Sequence, residues 1–213
     1  VFTTLKKLTA LTLQKLHDDL RAFAGCLPAP PQTDDARMQS RMAALLAKSL
    51  ADWARDRSDV SAADQVVLRL QYGEALLETG DYAAAREVFA SCGGEAKIES
   101  GSGAAGHARA RLGLAESMYG LGDFAAALPM FNELARPGTL PTTEPAHWRA
   151  LIRDLQCRLA LGGDPRDVLK VIENHRATTP TLGGPAFAAE FDKLKRESQR
   201  KLQNGAAPGP TPP

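Results

Sequence analysis

Apolar residues recur at helical spacing from the start of the chain. The first set falls largely on one side of a helix predicted from about Phe2 to Phe23, and it consists of Leu5, Leu8, Leu16, Leu20 and Phe23. Prolines at positions 28, 30 and 31 follow. They should end this helix, because proline lacks an amide donor and clashes with the preceding turn.

A second helix is predicted to begin at Thr33 or Asp34, since both residue types cap helices well. Its apolar residues are three and four positions apart, which indicates one buried stripe. The stripe comprises Met38, Met42, Leu45, Leu46, Leu50 and Trp53. The helix should end in the polar stretch 55–59.

A helix–turn–helix pattern then recurs. Ser61, with Asp64 three residues later, predicts the start of a helix that runs to about Thr79. Gly-Asp pairs follow at 80–81, 122–123 and 163–164, so the glycines are 42 and 41 residues apart. Large and small residues come after each pair at helical spacing: Tyr82, Ala85 and Phe89; Phe124, Ala127 and Phe131; Pro165, Val168 and Ile172.

The chemistry of these pairs predicts a tight turn between two helices. Glycine can end the first helix because it enters the left-handed conformation without a Cβ clash. Aspartate can cap the next helix by accepting a hydrogen bond from a free backbone amide. In the third copy Pro165 occupies the first helical position, where its missing amide costs nothing. Each copy should therefore be a helical hairpin.

These hairpins resemble the tetratricopeptide repeat between about Val66 and Pro180, with a third copy that is degenerate. The resemblance is carried by Gly73, Gly80, Tyr82, Ala85 and Phe89; by Leu114, Ala115, Gly122, Phe124, Ala127 and Phe131; and by Leu155, Gly163, Val168, Ile172 and Pro180. The period exceeds the usual 34 residues. The excess falls in the connections 93–106 and 137–144.

The resemblance implies an all-α fold in which antiparallel helical hairpins stack as a short right-handed superhelix with capping helices on both sides. The predicted divisions are N-terminal helices over 1–60, about three repeats over 61–180, a C-terminal capping helix over 181–204 and a disordered tail over 205–213. The capping helix carries an apolar stripe of Phe187, Phe191, Leu194 and Leu202. The tail is rich in Gly and Pro.

Composition and charge argue against two classes of partner. Lys and Arg total 26 against 25 Asp and Glu, a net charge of +1, whereas nucleic-acid binders usually carry a clear basic surplus. A local surplus near the C-terminus is interpreted as the solvated face of the last helix: Lys193, Lys195, Arg196, Arg200 and Lys201. No apolar run is long enough to span a membrane.

The cysteines and histidines do not predict a metal or disulfide site. Three cysteines, Cys26, Cys92 and Cys157, lie far apart and form no CxxC pair. Cys92 is expected to be a buried thiol, and Cys157 either packs or faces the inner side of a repeat helix. The four histidines show no ligand spacing with one another: His17, His107, His147 and His175.

No catalytic motif stands out. Residues 101–106 spell GxGxxG, but no strand precedes them and no acidic residue has the right role downstream, so we interpret them as a loop between repeats. Neither a nucleophile elbow nor a phosphate-binding GK[ST] loop occurs. We therefore predict no catalytic residue, no metal, no cofactor and no enzymatic activity.

The resemblance implies a concave groove along the inner faces of the first helices. The groove residues carried over are Val67, Leu70, Glu74, Leu77 and Glu78; Arg109, Leu112, Glu116 and Tyr119; and Arg153 with Cys157. The basic clamp that some family members use for an acidic C-terminus is absent, since Leu70 and Glu74 stand at two of its positions. This mixed apolar and acidic face should suit a basic or amphipathic helix.

The prediction for function is a protein-interaction module or scaffold that binds a peptide or helix of a partner protein. The alternative is a structural spacer or self-association domain, a possible homo-oligomer, with its groove filled by its own helices. A catalytic or ligand-binding helical protein would need a polar pocket with perturbed residues. Val1 is not Met, so we expect a fragment or processed form. We expect a cytoplasmic location, and any upstream signal or anchor would lie outside these residues.

Overall fold

A computed structural model describes residues 34–55, 57–94 and 104–205, which form eight α-helices and no strand. The all-α prediction is confirmed. The helices are α1 (Asp34–Arg55), α2 (Ala62–Thr79), α3 (Tyr82–Ser91), α4 (Ala104–Gly120), α5 (Phe124–Ala135), α6 (Pro145–Ala160), α7 (Pro165–Thr178) and α8 (Pro185–Gly205). The predicted helix over 2–23, Cys26, His17, the first half of the GxGxxG segment and nearly all of the tail lie outside the described residues.

The chain divides into two compact units, Val1–Leu121 and Gly122–Pro213, and each is described by itself. The division falls within the second Gly-Asp turn. The first unit contains α1 to α4 and the second contains α5 to α8. The domain limits expected from the sequence stay predictions.

The turns follow the predicted chemistry. Gly80 is left-handed, with φ of 79°, and its amide donates to carbonyls of the last turn of α2. Asp81 then caps α3 by accepting a hydrogen bond from the Ala84 amide at 3.2 Å. Asp123 does the same for α5, accepting from the Ala126 amide at 3.2 Å.

The third turn differs by one residue. Gly162, rather than Gly163, has a left-handed φ of 81°, while Asp164 caps α7 as predicted. The sequence shows two adjacent glycines at this point, and either could have entered that conformation.

The first unit is held together by aromatic rings of α3 that lie where glycines leave room. The Phe89 ring lies between Gly73 of α2 and Gly113 of α4: a Cβ on Gly73 would come within 2.8 Å of the ring, and a Cβ on Gly113 would overlap it. The Tyr82 ring occupies the corresponding place against Gly120. Tyr82 and Phe89 are two helical turns apart, and so are the two glycines of α4, in the opposite order. These contacts therefore define an antiparallel register between α3 and α4.

Helix α1 packs on α2 through small residues. Its alanines at 44, 47, 51 and 54 are exposed by 8%, 1%, 6% and 0%. They lie against Tyr72 and Ala75 at one end of α2 and against Leu68 at the other. Alanine lets two helix backbones approach closely, so this face becomes the interface.

The prediction that the stripe of large apolar residues is the packed side of α1 was wrong for its contact with α2. Met38, Met42 and Leu45 are 60%, 64% and 65% exposed, and Leu46 is 37% exposed. Leu50 and Trp53 are half-buried and pack against Val60 and Ala54. The large side chains lie on the side of α1 that α2 does not cover.

The second unit is built around Trp148 of α6, which is 1% exposed. Its indole Nε1 donates to the Thr142 carbonyl at 2.7 Å, and the edge of its ring meets Phe191 of α8 at a centroid distance of 6.2 Å. Helices α6, α7 and α8 supply most of the rest of this core, and the connection between α7 and α8 adds Leu182. The helical residues are Leu151, Ile152, Leu155, Leu159, Val168, Ile172 and Leu194. Phe187, Phe191 and Leu194 of the apolar stripe predicted for the last helix thus pack on its neighbours.

His147 is buried in this core without a hydrogen bond to either ring nitrogen from any described residue. The side chain is 2% exposed and lies edge-on to Trp148 at a centroid distance of 5.1 Å. Burial lowers the pKa of His147 below its usual value, and the nearby His175 lowers it further. Burial also lowers the pKa of His175. The folded unit therefore favours neutral imidazoles.

Replacing Gly113 by alanine should destabilise the protein by about 2 kcal/mol, because the new methyl group would overlap the Phe89 ring. Gly106 of the same helix is a matched control, since a Cβ there meets nothing within 4 Å. Gly106→Ala should be neutral or stabilise by ~0.5–1 kcal/mol. Urea unfolding followed by circular dichroism measures both, and equal effects would contradict the packing described here.

Acidification should unfold the second unit more easily. Since the pKa of His147 is lowered in the folded state, the unfolded chain binds more protons below about pH 6.5. Stability should be full above that pH and should fall as pH decreases through the lowered pKa. His147→Phe, which keeps a ring against Trp148, should flatten the profile below about pH 6.5. An unchanged slope in this variant, measured by thermal unfolding, would disprove the assignment.

Candidate partner-binding face

Helices α2 and α4 contact each other directly in the first unit, and nine of the residues predicted to line a groove lie on them. On each helix every one of these residues has another of the set three or four positions away, so they share one side. They are Val67, Leu70, Glu74, Leu77 and Glu78 on α2, and Arg109, Leu112, Glu116 and Tyr119 on α4. We refer to this surface as the α2/α4 face.

Some of the predicted residues are buried between the helices, and others reach the surface. Leu70 and Leu112 are 2% and 9% exposed, so their side chains belong to the packing between helices. Leu77, Glu116 and Tyr119 are half-buried, and Glu78 is exposed. A partner would therefore touch the second group and not the two buried leucines.

A bidentate ion pair crosses the α2/α4 face. Arg109 Nε donates to Glu74 Oε1 at 2.6 Å, and Arg109 Nη2 donates to Glu74 Oε2 at 2.8 Å. The side chains are 36% and 25% exposed, so the pair is partly shielded from water. Guanidinium and carboxylate groups are both planar, so they can form two parallel hydrogen bonds. Because Glu74 belongs to α2 and Arg109 to α4, this pair joins the two helices. The sequence assigned both residues to the groove but gave no sign of their pairing.

The second unit holds the remaining predicted residues. Arg153 of α6 is half-buried, and its Nη1 donates to Gln156 Oε1 at 2.9 Å. Cys157, one turn further on, is fully buried, which favours a packing role. Cys92 of the first unit is also buried, as expected, and burial raises the pKa of its thiol.

Some buried polar side chains were not singled out by the sequence pattern. Asp154 is 3% exposed and accepts hydrogen bonds from Arg158 Nε at 2.8 Å and Nη2 at 3.2 Å. Arg111 is 7% exposed, and its Nη1 donates to the Gly94 carbonyl at 3.3 Å. The four-residue spacing of Asp154 and Arg158 was the only feature of the sequence that indicated this ion pair. Asp154 also accepts a hydrogen bond from Asn132 Nδ2 of α5 at 3.5 Å and so joins α5 to α6, whereas Arg111 holds the backbone that follows α3.

The described part of the chain has neither a cluster of metal-binding side chains nor a membrane-spanning helix. No three His, Cys, Asp or Glu side chains there are grouped closely enough to hold a metal ion. None of its helices is long and apolar enough to cross a membrane.

A double-mutant cycle on Glu74→Gln and Arg109→Gln should give a coupling free energy of about 1 kcal/mol, because the pair is bidentate and partly shielded from water. The matched reference is Lys48 with Asp52, a pair four residues apart on α1 that is more exposed to screening by water and should give a smaller coupling. Urea unfolding at low and high salt measures both. A coupling between Glu74 and Arg109 no larger than the reference would contradict a role in joining the helices.

Comparison with known proteins places two segments in a family. Residues 66–91 and 108–133 each match the tetratricopeptide repeat. No curated protein and no solved structure matches the chain. The first matched segment covers most of α2 and all of α3, and the second covers most of α4 and α5, so both begin in one predicted hairpin helix and end in the other. The chain is therefore a tetratricopeptide-like helical repeat protein.

Proposed function

We propose that this protein is an interaction module whose α2/α4 face binds an amphipathic helix or extended peptide of a partner protein. Tetratricopeptide repeats generally mediate protein–protein interaction or scaffolding, and they are typically non-catalytic. The observation that carries the proposal is the alignment of half-exposed residues along the first helices of the two matched repeats, α2 and α4.

The face offers apolar area that a partner helix could cover. Leu77 and Tyr119 are half-buried, so each presents part of its side chain to solvent. Tyrosine is common at protein interfaces because it combines a large apolar ring with a polar hydroxyl. A helix that buries residues at i, i+3 and i+4 on this area would use the helix-in-groove mode of recognition.

The charges of the face favour a basic partner. It carries three carboxylates, those of Glu74, Glu78 and Glu116, and one guanidinium, that of Arg109. Arg109 bonds to Glu74, so the attraction rests on the surplus of negative charge over the whole face. Complementary charge chiefly raises the association rate and the selectivity for one partner over another.

The direct test uses two fluorescein-labelled helical peptides with the same apolar positions, one with lysines and one with glutamates on the polar face. Fluorescence anisotropy should show that the lysine peptide binds more tightly and that added salt weakens its binding. Glu78→Arg should reduce that affinity about tenfold, the equivalent of ~1.4 kcal/mol. Glu87→Arg reverses an exposed charge of the same type on α3 and is the matched control.

Three outcomes are informative. Loss of affinity in Glu78→Arg but not in Glu87→Arg supports the α2/α4 face. Equal loss in both variants points to unspecific attraction and contradicts the proposal. No binding of either peptide, together with oligomers that grow with concentration in light scattering, would favour a self-associating spacer instead.

A further inference from the structure

Helix α1 has apolar side chains on two opposite sides. The alanine side is covered by α2, as described above. The other side, which we call the outer face of α1, consists of Met38, Met42, Leu45 and Leu46. At 100° per residue the two sets lie about half a turn apart. A helix that is apolar on both sides is typical of a position between two neighbouring helices.

The first unit contains an example of such a position. Helix α3 lies between α2, which precedes it in the chain, and α4, which follows it, and it packs on both. Helix α1 likewise packs on the helix that follows it, α2. Within the described part of the first unit, no helix precedes α1. The repeated arrangement therefore predicts that α1 needs a helix before it.

The chain supplies a segment of suitable length and pattern. We infer that residues 2–23 cover the outer face of α1 as the first helix of an additional N-terminal hairpin. This segment has 22 residues, as α1 does, so the two helices would have the same length. Its apolar stripe ends at Phe23, and the proline-rich stretch before Asp34 interrupts the helical pattern and provides the connection.

Charge supports the antiparallel orientation. In such a hairpin, positions equally distant from the connection lie side by side, so Asp19, at the edge of the apolar stripe between Leu16 and Phe23, comes roughly level with Arg41. Arg41 and Leu45 line a groove of about 410 Å³ between α1 and α2, together with Lys48, Tyr72 and Asp81. The Asp19 carboxylate would thus lie near the Arg41 guanidinium at the edge of the outer face. The arrangement leaves the α2/α4 face accessible and does not depend on what that face binds.

Crosslinking the intact protein tests the contact and identifies the occupant. Lys6 and Lys7 lie roughly four turns before Phe23, and Lys48 lies roughly four turns after Asp34, so a short amine-reactive crosslinker should join them. A mixture of ¹⁴N-labelled and ¹⁵N-labelled protein separates the sources. Links between peptides of the same label support coverage by the chain's own segment. Links between different labels would show that a second copy covers the face and would overturn the inference.

Methionine oxidation provides a second measurement that needs no crosslink. Under hydrogen peroxide Met38 and Met42 should oxidise slowly in the intact protein, because the segment shields them. Leu16→Asp, in the apolar stripe, should speed their oxidation roughly tenfold by raising the population of the open state. Gln14→Asp places the same charge on the opposite side of the segment and should change little.

Met118 and Met130, on other helices, are internal references, and circular dichroism confirms that each variant is folded. If Leu16→Asp does not fold, the intact protein still decides the matter. Oxidation of Met38 and Met42 at the rate of an exposed methionine, with no link between Lys48 and the segment, would overturn the inference.

Discussion

The close approach of α2, α3 and α4 depends on one aromatic ring that occupies space left by two glycines. Phe89 lies between Gly73 and Gly113, where even a methyl group would collide with it. Because the three helices share this contact, α2 and α4 are held near enough for Glu74 and Arg109 to meet. The surface proposed to bind a partner is thus set by a contact in the interior of the first unit.

Both units pack an aromatic ring where a glycine leaves room. In the first, Gly73 and Gly113 receive the Phe89 ring, and alanines bring α1 onto α2. In the second, the Trp148 indole lies against Gly183, where a Cβ would overlap the ring, and α6, α7 and α8 pack around it. The second core also buries the His147 imidazole beside the indole, so we expect this unit to be sensitive to acid.

Local features were predictable from the sequence, whereas features that depend on helix separation were not. The Gly-Asp turns and their caps follow from the chemistry of neighbouring residues, so Asp81, Asp123 and Asp164 cap as expected. The side of α1 that packs on α2 was misassigned because large apolar residues dominate a hydrophobic pattern. Close packing instead selected the alanines.

The α2/α4 face was likewise only partly predictable from the sequence. Repeat spacing places Glu74 and Arg109 on the same side of two helices, but only the distance between those helices decides whether the side chains meet. Burial of Leu70 and Leu112 also depends on how deeply the helices pack, and the sequence of one helix does not contain that information.

The connection between α5 and α6 illustrates what the lengthened repeat period means for the chain. Residues 137–144 look like an insertion, yet Leu140 is 7% exposed and the Thr142 carbonyl accepts the hydrogen bond of the Trp148 indole. The segment is thereby part of the core of its unit. A protease that cuts extended surface loops would need this connection to detach from Trp148 first, so cleavage there would report the opening of the core and not the mobility of a loop.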